Sequence, residues 1–476
     1  MKKIIIGVFV LAVSLFGFTG CYDAIYQNIR DEIELTTQKM PGFINNIARY
    51  NNGGEQYLFL TNGVIKYKNA KYAEHGKWNE LSGNGLPGSV HYVFEDTKFK
   101  GFYFSKIIAD QKYVYALGFE PTYDTDNSRN VPKELKVYYT EPVLENGQLK
   151  MTWNEIKTLS EEINKYQNEI DKIDDDNYGM AISCHLFGTN SVNPEHRVAF
   201  LRVGGGSPYL GNSRNETSVL YKLNGGDSKK VASITSENKE NSDAGDFIYS
   251  EFDLDTLSVV YFGGKYHFMN YLNAETNEGT ADFYGNTRSE PTYVYFGDYD
   301  DNLYYFSVDS YNETYKKMFK YPRASNRSKD GLESPANFLS KNDEVAGYIE
   351  YNNLSSVISI AVTSESLILG RGSNRSYNSN ASTGDGVSRV KIDSSTGKPT
   401  SDSVSFETNA GSVMRDPYIV RALLAVDPSK KETETSIYSS MDYIYTATSA
   451  GASSTNRGLW AYYPKADGSK GEWNRE

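Results

Sequence analysis

Short apolar and aromatic runs recur from about residue 43 to the end of the chain, and polar turns separate them. The clearest unit contains Tyr57–Thr61, an Asn-Gly pair and the returning run Val64–Lys68. Asn-Gly between two such runs is a strong signal of a two-residue hairpin turn. With Phe43–Ala48 before this hairpin and Lys77–Leu81 after it, the pattern predicts a four-stranded antiparallel meander.

The same succession of strands and turns returns five more times, less regularly in the middle of the chain. The strands predicted for these units are Phe104–Ala109, Tyr113–Gly118, Leu135–Thr140 and Met151–Ile156; Met180–Phe187, Arg197–Val203, Ser218–Leu223 and Lys230–Ile234; Tyr266–Leu272, Thr292–Phe296, Asn302–Val308 and Tyr315–Phe319; Val357–Val362, Leu367–Gly370, Val387–Ile392 and Val404–Phe406; and Tyr418–Val426, Asp442–Thr448, Gly458–Tyr463 and Glu472–Asn474. One further run, Phe247–Phe262, is either a seventh unit or a long hairpin. Repeated four-stranded units predict an all-β fold, a β-propeller of six or seven blades.

Three of the four tryptophans mark equivalent points of this repeat. Trp78, Trp153 and Trp473 each begin a Trp-Asn-Glu or Trp-Asn-Arg triplet that ends a unit. We expect each of them on the outermost strand of its sheet, packed towards the next sheet. They are therefore predicted to be structural residues of the repeat.

One interruption of the strand pattern has helical spacing. Near residues 156–175, apolar side chains recur every three or four positions: Ile156, Leu159, Ile163, Tyr166, Ile170 and Ile173. This spacing predicts an inserted amphipathic helix with a narrow apolar stripe. We expect the stripe to pack on the sheets; the alternative is a seam for a partner helix.

The N-terminus carries a targeting signal. Lys2 and Lys3 precede the apolar run Ile4–Phe18, and the small residues Thr19 and Gly20 stand before Cys21. This order is typical of a secretory signal peptide, residues 1–20. Cys21 is then the expected lipid attachment site, residues 21–40 a tether and residues 41–476 one propeller domain. Ordinary cleavage that leaves a thiol at Cys21 is the alternative.

Composition narrows the classes of partner. The chain carries 49 Lys and Arg against 61 Asp and Glu, a net charge of −12, which disfavours nucleic acid as a partner. Its 39 tyrosines and 22 phenylalanines suit half-buried strands.

Cys184 is the only cysteine after Cys21, so no internal disulfide forms if Cys21 is acylated. The apolar neighbours of Cys184 favour a buried structural thiol.

The sequence contains no convincing catalytic or metal-binding constellation, and we expect no cofactor. The five histidines are scattered at positions 75, 91, 185, 196 and 267, with no metal-ligand spacing. The acidic runs 123–127, 174–177 and 298–302 lack the Gly and distal Glu of an EF-hand loop. Gly204-Gly205-Gly206 follows a strand, but no phosphate-binding Lys-Ser/Thr comes after it.

The best-preserved units resemble known propeller repeats. The segment Thr448–Trp473, with its Gly-Leu-Trp-x-Tyr run, is similar to blades of two-component-regulator and BNR-like propellers. Thr61–Tyr67 with Trp78 is similar too, and Asn84–Val90 looks like the linker between such blades. Phe18-Thr19-Gly20-Cys21 resembles the relaxed lipobox of spirochaetal lipoproteins, although typical lipoboxes begin with Leu. The whole chain resembles a treponemal-type β-propeller lipoprotein, a family that mostly lacks an assigned activity.

The resemblance implies a protein anchored to the membrane through Cys21, in the bacterial cell envelope. We expect a non-enzymatic scaffold that binds a protein or a glycan. One alternative is a glycan-active hydrolase or lyase, since Asp467–Trp473 faintly resembles the Asp box of sialidases. Another is an envelope-assembly factor, since Asp393–Lys398 resembles a turn of quinoprotein-like propellers.

Overall fold

The structure is a computed structural model. It describes residues 40, 44, 46–52, 55–70, 78–90, 101–124, 129–169, 184–188, 199–204, 218–234, 275–276, 293–297, 302–307, 346–350, 356–362, 366–372, 387–392, 399–405, 420–426, 443–448, 458–463 and 472–476. Within these ranges the chain forms small antiparallel sheets and one helix, which confirms the predicted all-β class. The predicted signal peptide, Cys21 and the run Phe247–Phe262 lie outside the described residues.

Six four-stranded sheets follow one another along the chain, and we number them sheet 1 to sheet 6. Sheet 1 contains β1 (Asn46–Asn52), β2 (Glu55–Thr61), β3 (Ile65–Asn69) and β4 (Asn79–Glu80). Sheet 2 contains β5 (Tyr103–Ala109), β6 (Val114–Asp124), β7 (Arg129–Thr140) and β10 (Asn154–Glu155), with the hairpin β8 (Val143–Glu145) and β9 (Gln148–Lys150) inserted before β10. Sheet 3 contains β11 (Cys184–Gly188), β12 (Ala199–Gly204), β13 (Ser218–Asn224) and β14 (Asp227–Ile234).

The later sheets have the same strand order, in which each strand pairs with the next one in sequence. Sheet 4 contains β15 (Glu275–Thr276), β16 (Tyr293–Gly297), β17 (Asn302–Ser307) and β18 (Ala346–Glu350). Sheet 5 contains β19 (Ser356–Val362), β20 (Ser366–Gly372), β21 (Val387–Ile392) and β22 (Pro399–Ser405). Sheet 6 contains β23 (Val420–Val426), β24 (Tyr443–Thr448), β25 (Gly458–Tyr463) and β26 (Glu472–Arg475).

The strand predictions are confirmed best in the sheets with tight turns. In sheet 4 the outer strand was predicted at Tyr315–Phe319, but β18 lies further along the chain and pairs Ile349 with Leu303 of β17. The prediction was wrong because the outer strand is chosen by this pairing across a long insertion, which local propensity does not reveal. The first strand predicted for this unit, Tyr266–Leu272, lies outside the described residues.

The three tryptophans do occupy equivalent places. Trp473 lies in β26, and Trp78 and Trp153 directly precede β4 and β10. The residue three positions after each Trp donates its backbone N–H to the third strand of its sheet: Leu81 to Ile65 over 2.9 Å, Ile156 to Val137 over 2.8 Å, and Glu476 to Leu459 over 3.0 Å. The repeat is therefore present in the backbone hydrogen bonds as well as in the sequence.

The expected direction of packing was wrong. Trp153 of sheet 2 packs in one buried cluster with Tyr57 and Phe59 of sheet 1, which is the preceding sheet. Its backbone N–H also donates to the carbonyl of Asn84, 2.8 Å away, in the linker that follows sheet 1. Gly85 allows this approach, since a Cβ there would lie 2.0 Å from the Trp153 carbonyl oxygen. Trp78 of sheet 1 likewise packs beside Leu459 of sheet 6.

The inserted helix is confirmed as α1 (Lys157–Glu169), and its apolar stripe packs on sheets 2 and 3. Its polar side chains also complete the open edge of β7. The Asn164 side chain exchanges two hydrogen bonds of 2.9 Å with the backbone of Leu135, and Ser160 Oγ accepts from Val137 N–H over 3.2 Å. The helix thus continues the short pairing of β10 with β7 and protects an exposed strand edge.

Candidate binding face

The turns at one end of sheets 1 to 3 meet around a single buried carboxylate. Asp110 directly follows β5 and opens the turn to β6, and it is 9% exposed. Its Oδ1 accepts the backbone N–H groups of Lys112 and Tyr113 over 2.7 and 2.6 Å. Its backbone N–H donates to the Tyr113 carbonyl over 2.9 Å. An Asp that binds the backbone two and three residues ahead is the usual way to hold a tight turn.

Tyr115 connects this turn to sheet 3. Its fully buried hydroxyl donates to Asp110 Oδ2 over 2.7 Å and accepts the backbone N–H of Gly225 over 2.7 Å. Gly225 lies in the turn between β13 and β14. We refer to Asp110, Lys112, Tyr113, Tyr115 and Gly225 as the turn cluster.

Sheet 1 contacts the turn cluster from the other side. The Tyr50 hydroxyl donates to the carbonyl of Lys112 over 3.1 Å. Asn52 Nδ2 donates to the carbonyl of Pro142, 2.7 Å away, at the start of the β8–β9 hairpin. Hydrogen bonds from sheet 1 therefore hold both the turn and the base of this hairpin, and Tyr115 joins the turn to sheet 3.

Burial and charge set the protonation states of the cluster. Burial raises the pKa of the Asp110 carboxyl, and the hydrogen bonds from Tyr113, Tyr115 and Lys112 oppose that rise. Burial, together with the charge of Asp110, raises the pKa of Tyr115 far above its ordinary value. Tyr115 therefore keeps its proton and acts as a donor to Asp110 throughout the physiological range.

The surface above this buried network is polar, with one exposed apolar side chain. Lys112 Nζ lies 3.3 Å from Glu141 Oε2, and the two side chains are 58% and 49% exposed. Lys112 also lies over the Tyr113 ring, 5.1 Å from its centroid. Val143, at 49%, is the exposed large hydrophobic residue of the described ranges, and it lies two residues from Glu141. We call Gln111, Lys112, Glu141 and Val143 the exposed patch.

The aromatic rings beside this patch are largely covered. Gly225 lies against the Tyr113 ring, since a Cβ there would be 2.7 Å from Cζ. Gly226 contacts Tyr139 in the same manner, with its Cβ position 2.8 Å from the hydroxyl oxygen. These tyrosines pack sheet 2 against sheet 3, so a sugar ring that stacked on Tyr113 would have to share it with Gly225 and the Lys112 ammonium.

Three acids at this end of the sheets have partners in the structure. Asp110 accepts three hydrogen bonds, Glu141 pairs with Lys112, and Glu55 Oε2 accepts from the Tyr57 hydroxyl and from Asn69 Nδ2 over 2.9 and 2.8 Å. Across the ranges that the structure describes, no three His, Cys, Asp or Glu side chains are grouped as metal ligands.

The structure places the sequence-derived candidates elsewhere. Trp78, Trp153 and Trp473 lie between or within sheets, as described above. Cys184 and His185 lie in β11, Gly204 ends β12, and Asn302 begins β17. The other histidines, most of the acidic runs and the turn Asp393–Lys398 lie outside the described residues. No described helix has the length and apolar character needed to span a bilayer.

The turn cluster itself was not among the predicted sites. Asp110-Gln111-Lys112 between two apolar runs indicates a turn, but an Asp in a turn is common. Tyr115 looks like any inward residue of a strand. Only the hydrogen bond from Gly225, which lies 110 residues from Tyr115 in sequence, shows that Asp110 and Tyr115 belong to a network between sheets 2 and 3.

Comparisons with known proteins assign no family. No family model matches the chain, and no curated protein matches it. Among solved structures, it is similar to AofleA from Arthrobotrys oligospora (10% identity, 91% of this chain and 85% of that chain, TM-score 0.35). It is also similar to BBS1N in complex with ARL6DN (7%, 90% and 81%, TM-score 0.29) and to Sqt1 of Saccharomyces cerevisiae (8%, 91% and 86%, TM-score 0.27). At these TM-scores the matches identify no ligand or activity.

Proposed function

We propose that the protein is a lipid-anchored β-propeller of the bacterial cell envelope that binds a protein partner without catalysing a reaction. The observation that carries the proposal is the turn cluster: a rigid, hydrogen-bonded base that holds the exposed patch in a fixed arrangement. A preorganised surface loses little conformational entropy on binding, and loops held by a rigid scaffold are common recognition sites.

The contacts between the six described sheets support a propeller. The first strands touch within two groups of neighbouring sheets: β1 contacts β5 and β5 contacts β11 in sheets 1 to 3, while β15 contacts β19 and β19 contacts β23 in sheets 4 to 6. β23 in turn contacts β1, so the last sheet returns to the first. Radial repetition of four-stranded sheets in this order is the arrangement of a propeller, which leaves only short, protected strand edges.

The exposed patch fits a protein better than a glycan. It combines a solvent-exposed Lys112–Glu141 pair with the apolar Val143, and protein interfaces join apolar contacts to a polar, solvent-accessible rim. The nearby Tyr113 ring is already in contact with Gly225 and Lys112. Sugar stacking on this ring is therefore the less favourable use of the surface.

Site-specific photocrosslinking in intact cells tests this proposal. A photoreactive phenylalanine analogue replaces Gln111 in the exposed patch, and a matched variant carries it at Ser82. Ser82 is also exposed but follows β4 at the opposite end of sheet 1. We expect a discrete protein adduct from position 111 alone, and a lower yield after Lys112→Glu, which gives the patch two acidic side chains.

Three results would contradict the proposal. Equal adducts from positions 111 and 82 would mean non-specific proximity, and no adduct at position 111 would mean that this surface is free in the cell. An adduct that a glycosidase removes would replace the protein partner with a glycan.

Anchoring is tested separately. We expect Cys21→Ser to abolish incorporation of labelled palmitate and to move the protein from the membrane to the soluble fraction, because the acylated cysteine provides the stable attachment. Cys184→Ser is the matched control, since it removes the other cysteine of the chain. Labelling that persists in Cys21→Ser would overturn the assignment of Cys21.

A further inference from the structure

The contact between sheet 6 and sheet 1 contains a buried ion pair. Lys68 Nζ of β3 lies 3.0 Å from Glu476 Oε2, and both side chains are 0% exposed. The Trp78 indole Nε1 donates to the same carboxylate oxygen over 2.7 Å. Lys68 Nζ also lies over the Trp78 ring, 5.1 Å from its centroid. The two charges come from positions 408 residues apart in sequence.

The contact between sheet 1 and sheet 2 shows which residues a second contact of the repeat has at the equivalent positions. The backbone register makes Trp153 equivalent to Trp78 and Leu81 equivalent to Glu476, as the hydrogen bonds described above show. In sheet 2, Asn154 pairs with Tyr139, as Asn79 pairs with Tyr67 in sheet 1. Thr140, the residue after Tyr139, is therefore equivalent to Lys68.

The two contacts use different chemistry at the same three positions. Between sheets 1 and 2 the set is Trp153, Thr140 and Leu81, and it is apolar in effect. Leu81 packs against the cluster that contains Trp153, and Trp153 Nε1 and Thr140 Oγ1 have no hydrogen-bond partner in the structure. Between sheets 6 and 1 the set is Trp78, Lys68 and Glu476, joined by an ion pair and a hydrogen bond.

We propose that Lys68, Trp78 and Glu476 form a charge-specified latch that joins sheet 6 to sheet 1 and to no other sheet. Burial of a carboxylate costs free energy unless a cation and hydrogen-bond donors contact it. Glu476 can therefore be buried only in a contact that supplies Lys68 and Trp78. Sheet 6 docked against another blade would bury the charge without that partner. The latch therefore selects the correct closing contact during folding and holds it afterwards.

Because the ion pair is buried, loss of either partner should strongly destabilise the contact between sheets 6 and 1. Burial lowers the pKa of Lys68, and the charge of Glu476 opposes that effect, so Lys68 depends on Glu476 for its charged form. Removal of one member of a buried pair leaves an uncompensated charge, whereas replacement of both by apolar groups is often neutral. The pair should then behave non-additively.

The test is a double-mutant cycle in the full chain, with Lys68→Thr, Glu476→Leu and the combined variant. The combined variant reproduces the Trp-Thr-Leu set that the contact between sheets 1 and 2 already uses, so it is expected to fold. Hydrogen exchange is followed in peptides that cover β3–β4 and β25–β26, with peptides of β6–β7 as the internal reference. Each single change should raise the opening equilibrium of the first two regions by at least about a hundredfold, since breaking a buried pair is strongly unfavourable.

The combined variant should exchange much more slowly than either single variant, and β6–β7 should be unaffected in all three. The partly exposed pair Lys66–Glu80, 3.3 Å apart, provides the matched control, since its side chains are 14% and 47% exposed whereas those of Lys68 and Glu476 are fully buried. Lys66→Thr with Glu80→Leu should change exchange little, alone or combined. Additive effects at Lys68 and Glu476, or uniform acceleration that includes β6–β7, would overturn the latch.

Discussion

Replacement of Trp473 by Ala is expected to lower the free energy of unfolding by about 3–5 kcal/mol, the range for truncation of a buried aromatic side chain. Trp473 is fully buried in β26, directly opposite Tyr462 of β25. The two rings lie 5.3 Å apart with an interplanar angle of 53°. Truncation would leave a cavity on the outer strand of sheet 6 and loosen its pairing with β25.

Urea unfolding followed by circular dichroism measures this loss. Trp473→Phe retains an aromatic ring and should lose clearly less than Trp473→Ala. Val143→Ala truncates a hydrophobic side chain that is 49% exposed, so it should shift the midpoint little. A midpoint for Trp473→Ala equal to that of the native chain would show that Trp473 does not support sheet 6.

Asp110→Ala is the second change with a large expected effect. It removes the acceptor of two backbone N–H groups and of the buried Tyr115 hydroxyl. Stranding buried donors costs about 1–3 kcal/mol each, and because some are partly exposed we expect a total loss of about 2–4 kcal/mol. The turn cluster should lose its order at the same time, so crosslinking from position 111 should fall with it.

The effect of Asp110 should depend on pH in a defined direction. Burial raises the pKa of Asp110, so the native state holds this proton more tightly than the unfolded chain. Its contribution to stability is then fully present below the ordinary Asp pKa and declines as the pH rises through the raised value. The difference between the native chain and Asp110→Ala should therefore grow as the pH falls from neutral.

Two controls separate these effects. Lys112→Ala removes an exposed side chain from the same turn but keeps its backbone N–H, so the stability should change little. Tyr115→Phe removes only the hydroxyl that joins Asp110 to Gly225 and should cost less than Asp110→Ala. A pH-independent difference for Asp110→Ala would contradict the assigned direction of the pKa shift.

Local signals predicted the parts of the fold that depend on neighbours in sequence. The Asn-Gly turn was predicted at the right place, although the loop has three residues, Asn62–Val64, because Thr61 pairs with Ile65. Gly63 in this loop has a φ of 98°, which favours glycine. The spacing of Ile156, Leu159 and Ile163 predicted α1 correctly, and all three side chains are buried. These features are short-range, so a single stretch of sequence carries the information.

Long-range pairing decided the rest. β18 was misplaced because its partner β17 lies across a long insertion. Trp473 lies in its outer strand and Trp78 and Trp153 directly precede theirs. Trp153, however, packs on the preceding sheet, which strand propensity does not encode. The candidate site shows the same division. The sequence predicts Asp110 as a turn residue, but its link through Tyr115 to Gly225 forms only when sheets 2 and 3 meet.

By itself, the sequence determined that this chain forms repeated four-stranded meanders with one inserted amphipathic helix, because turn propensity and side-chain periodicity act over a few residues. It also marked Trp78, Trp153 and Trp473 as equivalent positions. Only the tertiary structure decided that Glu476 meets Lys68 and that Asp110 is linked through Tyr115 to the turn of sheet 3. Those contacts depend on burial, and the energy of a buried charge is set by partners that arrive from distant parts of the chain.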